Sequence, residues 1–97
     1  MRIVLALAML ATPVAAQESK EQQCRYQADV VAAIQKARLE RVRERNVPDA
    51  VAAMEPGWPD NYNATIPLIT PWVYEQKMRD IRSKDYSAAW LELCLKQ

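Results

Sequence analysis

Cys24 and Cys94 are the residues of this chain that most directly imply a covalent reaction, and they are its only cysteines. Their spacing excludes a C-x-x-C redox pair and a zinc knuckle. Both fall on apolar helix faces, which favours a single intramolecular disulfide of the kind that persists in an oxidising compartment; free thiols or an intermolecular bond are the alternatives. Such a bridge closes a loop of about seventy residues, worth roughly 4 kcal/mol in the chain-entropy model. A core this small supplies only a few kcal/mol itself, so the bridge would weigh heavily.

Other catalytic chemistry is largely excluded by composition. The chain has no histidine, so Ser-His-Asp and Cys-His catalysis and the usual zinc sites are absent. A single glycine cannot build a phosphate-binding loop or a dinucleotide fingerprint. Carboxylate pairs remain, Glu75 with Asp80 or Asp80 with Asp85. Acid–base work needs positioned groups in a cleft, and nothing in the spacing indicates one. The expectation is a protein that is not an enzyme and has neither metal nor cofactor.

Two constellations could bind rather than react. "KARLERVRER", residues 36–45, places five basic residues among ten. On a helix, Lys36, Glu40, Arg43 and Glu44 read as solvated charge. Arg38, Arg41 and Arg45 project within about 60° of one another. Arg38 falls on the apolar side between Ile34 and Val42, where a guanidinium needs a partner. That partner is either an acid of the same chain (Asp49, Glu55, Asp80 or Asp85) or an acidic or anionic group from outside. The second constellation is aromatic. Trp58, Tyr62 and Trp72 lie within fifteen residues and form either a binding platform or the roof of a core too small to close without them. "NAT" at Asn63 matches a glycosylation sequon, which would be a chance match in a bacterial protein.

Helices must position these groups. From Cys24 to about Arg45 the chain is free of Pro and Gly and rich in good helix formers. Cys24, Ala28, Val31, Ile34, Leu39 and Val42 share one side. "NVPDAVAAMEP" reads as a short second helix with Pro48 in its first turn. Pro56 and Gly57 should close it, with Gly57 supplying a positive φ. Residues 58–70 read as a loop with room for a helical turn inside it. Thr70 and Pro71 then look like the cap and first residue of a third helix carrying Val73, Tyr74, Met78 and Ile81. "RSKD" interrupts it, and Asp85 caps a last helix whose Tyr86, Ala89, Trp90, Leu93 and Cys94 share a face. The fold class is all-α: a small disulfide-stapled bundle of three to four helices.

The first sixteen residues, "MRIVLALAMLATPVAA", read as a secretory signal cleaved after Ala16. The apolar stretch of about fourteen residues is too short to span a bilayer. Residues 17–23 would be a flexible N-terminus and residues 24–97 the helical domain. Cleavage removes Arg2 from 13 basic residues set against 12 acidic ones. The remaining chain is formally neutral, which opposes nucleic-acid binding, and no later segment is apolar enough for stable membrane insertion. Export, size, one bridge and helical character are similar to the general plan of small exported bacterial proteins, periplasmic acid-stress chaperones among them. That likeness implies a periplasmic or secreted accessory protein that binds a protein partner. The alternative is a chaperone-like stress protein that opens to expose apolar surface.

Overall fold

The structure is a computed structural model that describes residues 18–97. The expected signal segment 1–16, its expected cleavage point and Gln17 lie outside the described residues. Five helices form the domain: α1 (Lys20–Leu39), α2 (Val47–Ala53), α3 (Ile66–Tyr74), α4 (Met78–Ser83) and α5 (Tyr86–Leu95). 3₁₀ segments occupy Glu44–Asn46 and Asp60–Thr65. No strand occurs among the described residues.

Helix α1 is the spine against which the other four pack. It starts earlier than its polar N-terminus suggests, because Ser19 accepts the Gln22 N–H at 3.0 Å. Residues Lys20–Gln23, expected to be flexible, are therefore helical. Cys24, Ala28, Val31 and Ile34 are buried as expected, joined by Val30 and Ala37. The helix stops six residues short of Arg45. Arg41 takes φ 63°, its N–H bonds the Arg38 carbonyl, and the Val42 N–H bonds the Ala37 carbonyl. This is a Schellman motif with arginine where glycine is usual. Leu39 is left 45% exposed.

Helix α2 also ends on a left-handed residue, but without the second Schellman bond, since Pro56 has no N–H to give. Glu55 holds the left-handed conformation at φ 54°, whereas Gly57 has no positive φ. The helix breaks one turn after Val51, and Pro56, which cannot donate an N–H, follows the Glu55 turn. The glycine is thus not the residue that reverses the chain.

The expected loop 58–70 is mostly helical. Pro67, not Pro71, sits in the first turn of α3, because Ile66, Ile69 and Val73 all face the core and draw the helix back by more than a turn. Thr70 is not a cap but a buried residue whose hydroxyl donates to the Ile66 carbonyl at 2.6 Å. Pro71 lies inside the helix. The chain breaks again between Tyr74 and Met78, so five helices replace three to four.

Asp85 caps α5 as expected, accepting the Ala88 N–H at 2.9 Å. Gln35 of α1 reinforces that junction. Its amide donates to the Ile81 and Lys84 carbonyls, both at 2.8 Å, and its oxygen accepts the Tyr86 N–H at 3.3 Å. One side chain thereby satisfies groups left open at the end of α4 and the start of α5. Cys24 and Cys94 are disulfide-bonded with Cα atoms 5.7 Å apart, tying α1 to α5. Of the face expected on α5, Tyr86 is buried and Trp90 half-buried, but Leu93 is 61% exposed.

Candidate functional site

The Schellman turn separates the three arginines expected to form one stripe. Arg38 remains on α1, Arg41 occupies the left-handed position, and Arg45 lies in the 3₁₀ segment beyond. Arg38 pairs with no acid. Its guanidinium lies over the Tyr74 ring, 5.0 Å from the centroid, and donates a long bond of 3.4 Å to the Gln76 carbonyl. Its Nε is buried without a partner. The Tyr74 hydroxyl donates to the Val42 carbonyl at 2.7 Å. Burial raises the Tyr74 pKa, the Arg38 charge opposes that rise, and Glu44 adds to it. Arg38 thus works inside the fold, holding the turn after α1 against the end of α3.

The acids named as its partners are used elsewhere or stand free. Asp80 lies 3.9 Å from Lys84, and Asp85 is spent on its cap. Of the carboxylates considered for catalysis, Asp80 lies beside Lys84 and Asp85 caps a helix, while Glu75 is exposed and enters no ion pair among the described residues.

The aromatic trio does not form a surface. Trp58 and Tyr62 are buried. The Trp58 indole donates to the Asn63 side chain at 2.8 Å, which also occupies the sequon asparagine. The Tyr62 hydroxyl donates to Glu18 at 2.6 Å, and its ring lies 5.1 Å from Tyr26. Burial and the Glu18 carboxylate push the Tyr62 pKa up to about 12. Trp72 is half-buried, edge-on to Tyr86 at 5.4 Å. A core this small consumes its aromatics.

The surface that stands out was not among the residues singled out. Helix α3, "IPLITPWVY", carries no charge and only one polar residue besides its terminal tyrosine hydroxyl. Such a helix is ordinarily buried all round. Here Ile66, Ile69 and Val73 fill the core, yet Pro67 and Pro71 are exposed and Leu68 is 77% exposed. Two clefts adjoin this face and share Pro48 and Pro67. One, of about 420 Å³, continues past Ala52 and Pro56 to Asp60 and Asn63. The other, of about 490 Å³, continues past Pro71 to Glu44 and Arg45. The result is an apolar, proline-lined groove between α2 and α3. Its sequence signal is the uncharged run from Asn61 to Tyr74, longer than a small domain can bury entirely.

Charge is segregated along the sequence rather than along the groove. Glu44 and Arg45 both line the cleft at one end, and Arg41 and Arg43 precede them in the chain. From Asn46 to Gln76 there is no lysine or arginine, while Asp49, Glu55, Asp60 and Glu75 are acidic. None of these arginines or acids enters an ion pair among the described residues, whose pairs lie at Glu21–Arg25, Lys36–Glu40, Arg79–Asp80–Lys84 and Glu92–Lys96.

A third cleft, of about 390 Å³, opens beside the disulfide between Gln27, Trp90, Leu93 and Gln97. No group of three or more metal-binding side chains occurs among the described residues, and no helix among them is long and apolar enough to cross a membrane. Compared with protein-family models, curated proteins and solved structures, the chain matches none.

Proposed function

We propose that this is a non-enzymatic accessory protein, exported to the periplasm or beyond, that acts by binding another protein through the α2–α3 groove. One observation carries the reading: the uncharged helix α3 leaves Pro67, Leu68 and Pro71 in water beside two clefts. Exposed apolar surface on a rigid element is what a partner-binding patch requires. The prolines offer no backbone donors and leave a smooth apolar wall, with polar groups only at the ends. The Cys24–Cys94 bridge agrees with an oxidising compartment. The groove is open in the folded state, which favours direct docking over a chaperone that must first unfold.

Site-specific photo-crosslinking in producing cells tests this. A cross-linker at position 68 is expected to yield a discrete adduct heavier than two copies of the chain. The same cross-linker at Asp29, exposed on α1, should not. No such adduct, or equal adducts from both positions, would refute the reading.

A further inference from the structure

The cleft of about 420 Å³ has a lining that selects among occupants. Pro48, Pro56 and Pro67 wall it, and Trp58, only 8% exposed, forms its aromatic floor. None of these prolines has an N–H to give, so the walls recognise side chains rather than a partner's backbone carbonyls. Two polar side chains complete the lining, Asp60 and Asn63. The Asn63 oxygen accepts the Trp58 indole N–H at 2.8 Å, which leaves its NH₂ group as the donor on that rim. Asp60 is the one charged residue among those that line this cleft. It is exposed and enters no ion pair among the described residues. Arg45 lines only the neighbouring cleft, which Glu44 also lines.

An anionic occupant would be repelled by Asp60, with no cation anywhere from Asn46 to Gln76 to offset it. A purely apolar occupant would cover Asp60 and strip water from an unpaired carboxylate, which costs free energy. A cation on an apolar stem answers both features. Its stem lies along the prolines and Trp58 while its head meets Asp60. Arginine suits this better than lysine. Its planar fork takes a carboxylate in two parallel bonds, and its weaker hydration makes it less costly to bring against apolar walls. The Asn63 NH₂ group, in the same lining, is free to donate to a carbonyl of the incoming segment. We propose that the α2–α3 groove takes an extended segment of its protein partner through one arginine, seated between Pro48, Pro56 and Pro67 against Asp60. This rests on reading the groove as a partner-binding face and names the chemistry of the segment that enters it.

Nuclear magnetic resonance on the isotope-labelled exported protein, with its disulfide closed, is the test. The readout is the chemical shift of the Trp58 indole N–H and of the Asn63 side-chain amide. The probe is acetyl-Leu-Pro-Arg-Pro-Leu-amide, set beside the same peptide with leucine or glutamate in place of arginine. The arginine peptide is expected to shift both signals saturably, more weakly as salt is added. The leucine peptide should bind about two- to fivefold more weakly, and the glutamate peptide more weakly still. Asp60→Asn should weaken the arginine peptide by the same factor and leave the leucine peptide unchanged. Asp60→Arg should favour the glutamate peptide instead. Should either variant lose its helical dichroism, the three peptides on the parent protein decide alone. Equal binding of the arginine and leucine peptides overturns the arginine assignment. So does an Asp60→Asn variant that binds the arginine peptide as the parent does, or the absence of any saturable shift up to about 5 mM peptide. Cross-linking from position 68 decides the partner reading separately, because it captures any protein on this face whatever side chain enters the cleft.

Discussion

The guanidinium of Arg38 stacks over the Tyr74 ring at 5.0 Å, joining the last turn of α1 to the last residue of α3 without any carboxylate. The contact is cation–π in kind, and the Arg38 stem packs along apolar surface. The buried, unpartnered Nε works against it, because an unsatisfied donor costs free energy. Packing therefore outweighs charge at this position. Arg38→Ala is expected to lose about 1–2 kcal/mol in urea unfolding. Arg38→Met keeps the stem and removes the orphaned donor, so it should stay within about 1 kcal/mol of the parent. Equal losses for both variants would mean that the charge itself holds the turn.

Two helices end on left-handed residues that are not glycine, Arg41 at φ 63° and Glu55 at φ 54°. A side chain in that conformation costs about 1–2 kcal/mol. Arg41→Gly and Glu55→Gly should each stabilise the domain by up to about 1 kcal/mol, after glycine's own entropic cost is subtracted. Gly57→Ala should be neutral or stabilising by about 0.4–1 kcal/mol, since nothing lies within 4 Å of an added Cβ. Thermal melts of the three variants check this. A destabilising Gly57→Ala together with a destabilising Glu55→Gly would restore the ordinary assignment of the turn to the glycine.

These turns also mark where sequence legibility ended. The disulfide was legible because two cysteines on apolar faces, in a chain whose first residues read as an export signal, favour pairing with each other. The cap at Asp85 was legible because capping is a local hydrogen bond. The stop at Leu39 was not. "RLERVRER" is a good helix sequence, and the Schellman turn there lets Val42 pack against the core and its carbonyl accept the Tyr74 hydroxyl, tertiary contacts that override propensity. The start of α3 was misplaced for a related reason. Pro67 and Pro71 are equivalent first-turn candidates by local rules, and only the burial of Ile66 and Ile69 chooses between them. The groove escaped notice because it is defined by what the core leaves uncovered. An uncharged run can be read directly, but which side of it faces water cannot be read until the helices are placed.

Tyr62 gives a pH-dependent signature. Its hydroxyl donates to Glu18 at 2.6 Å, and burial with that carboxylate raises its pKa to about 12 from 10.0. The folded state thus keeps a proton that the unfolded chain releases. The resulting stability is fully present below pH 10 and is lost as pH rises towards about 12. The difference in unfolding free energy between the parent and Tyr62→Phe should accordingly be constant up to about pH 9.5 and shrink above pH 10. A difference that grows with alkalinity would show that Tyr62 ionises more readily in the fold than outside it.

The disulfide is expected to resist reduction in the folded protein because its two sulfurs are unequally placed. Cys24 is 1% exposed, whereas Cys94 lies at the cleft with Gln27 and Trp90. A thiolate can therefore reach only the Cys94 sulfur, and the leaving group must be a Cys24 thiolate in apolar surroundings. Exchange slows as the leaving thiol becomes harder to ionise, and burial has that effect. Gln27, whose oxygen accepts the Trp90 indole at 3.0 Å and lies 3.7 Å from the Cys94 sulfur, turns a negative dipole towards any approaching thiolate. Alkylation with mass measurement after timed dithiothreitol exposure should find the bridge intact in native buffer and rapidly opened in urea. Replacing both cysteines by serine should then cost roughly 4 kcal/mol, enough to leave so small a domain largely unfolded. Reduction in native buffer as fast as in urea would mean that the Cys94 side is open to attack and that burial of Cys24 gives no protection.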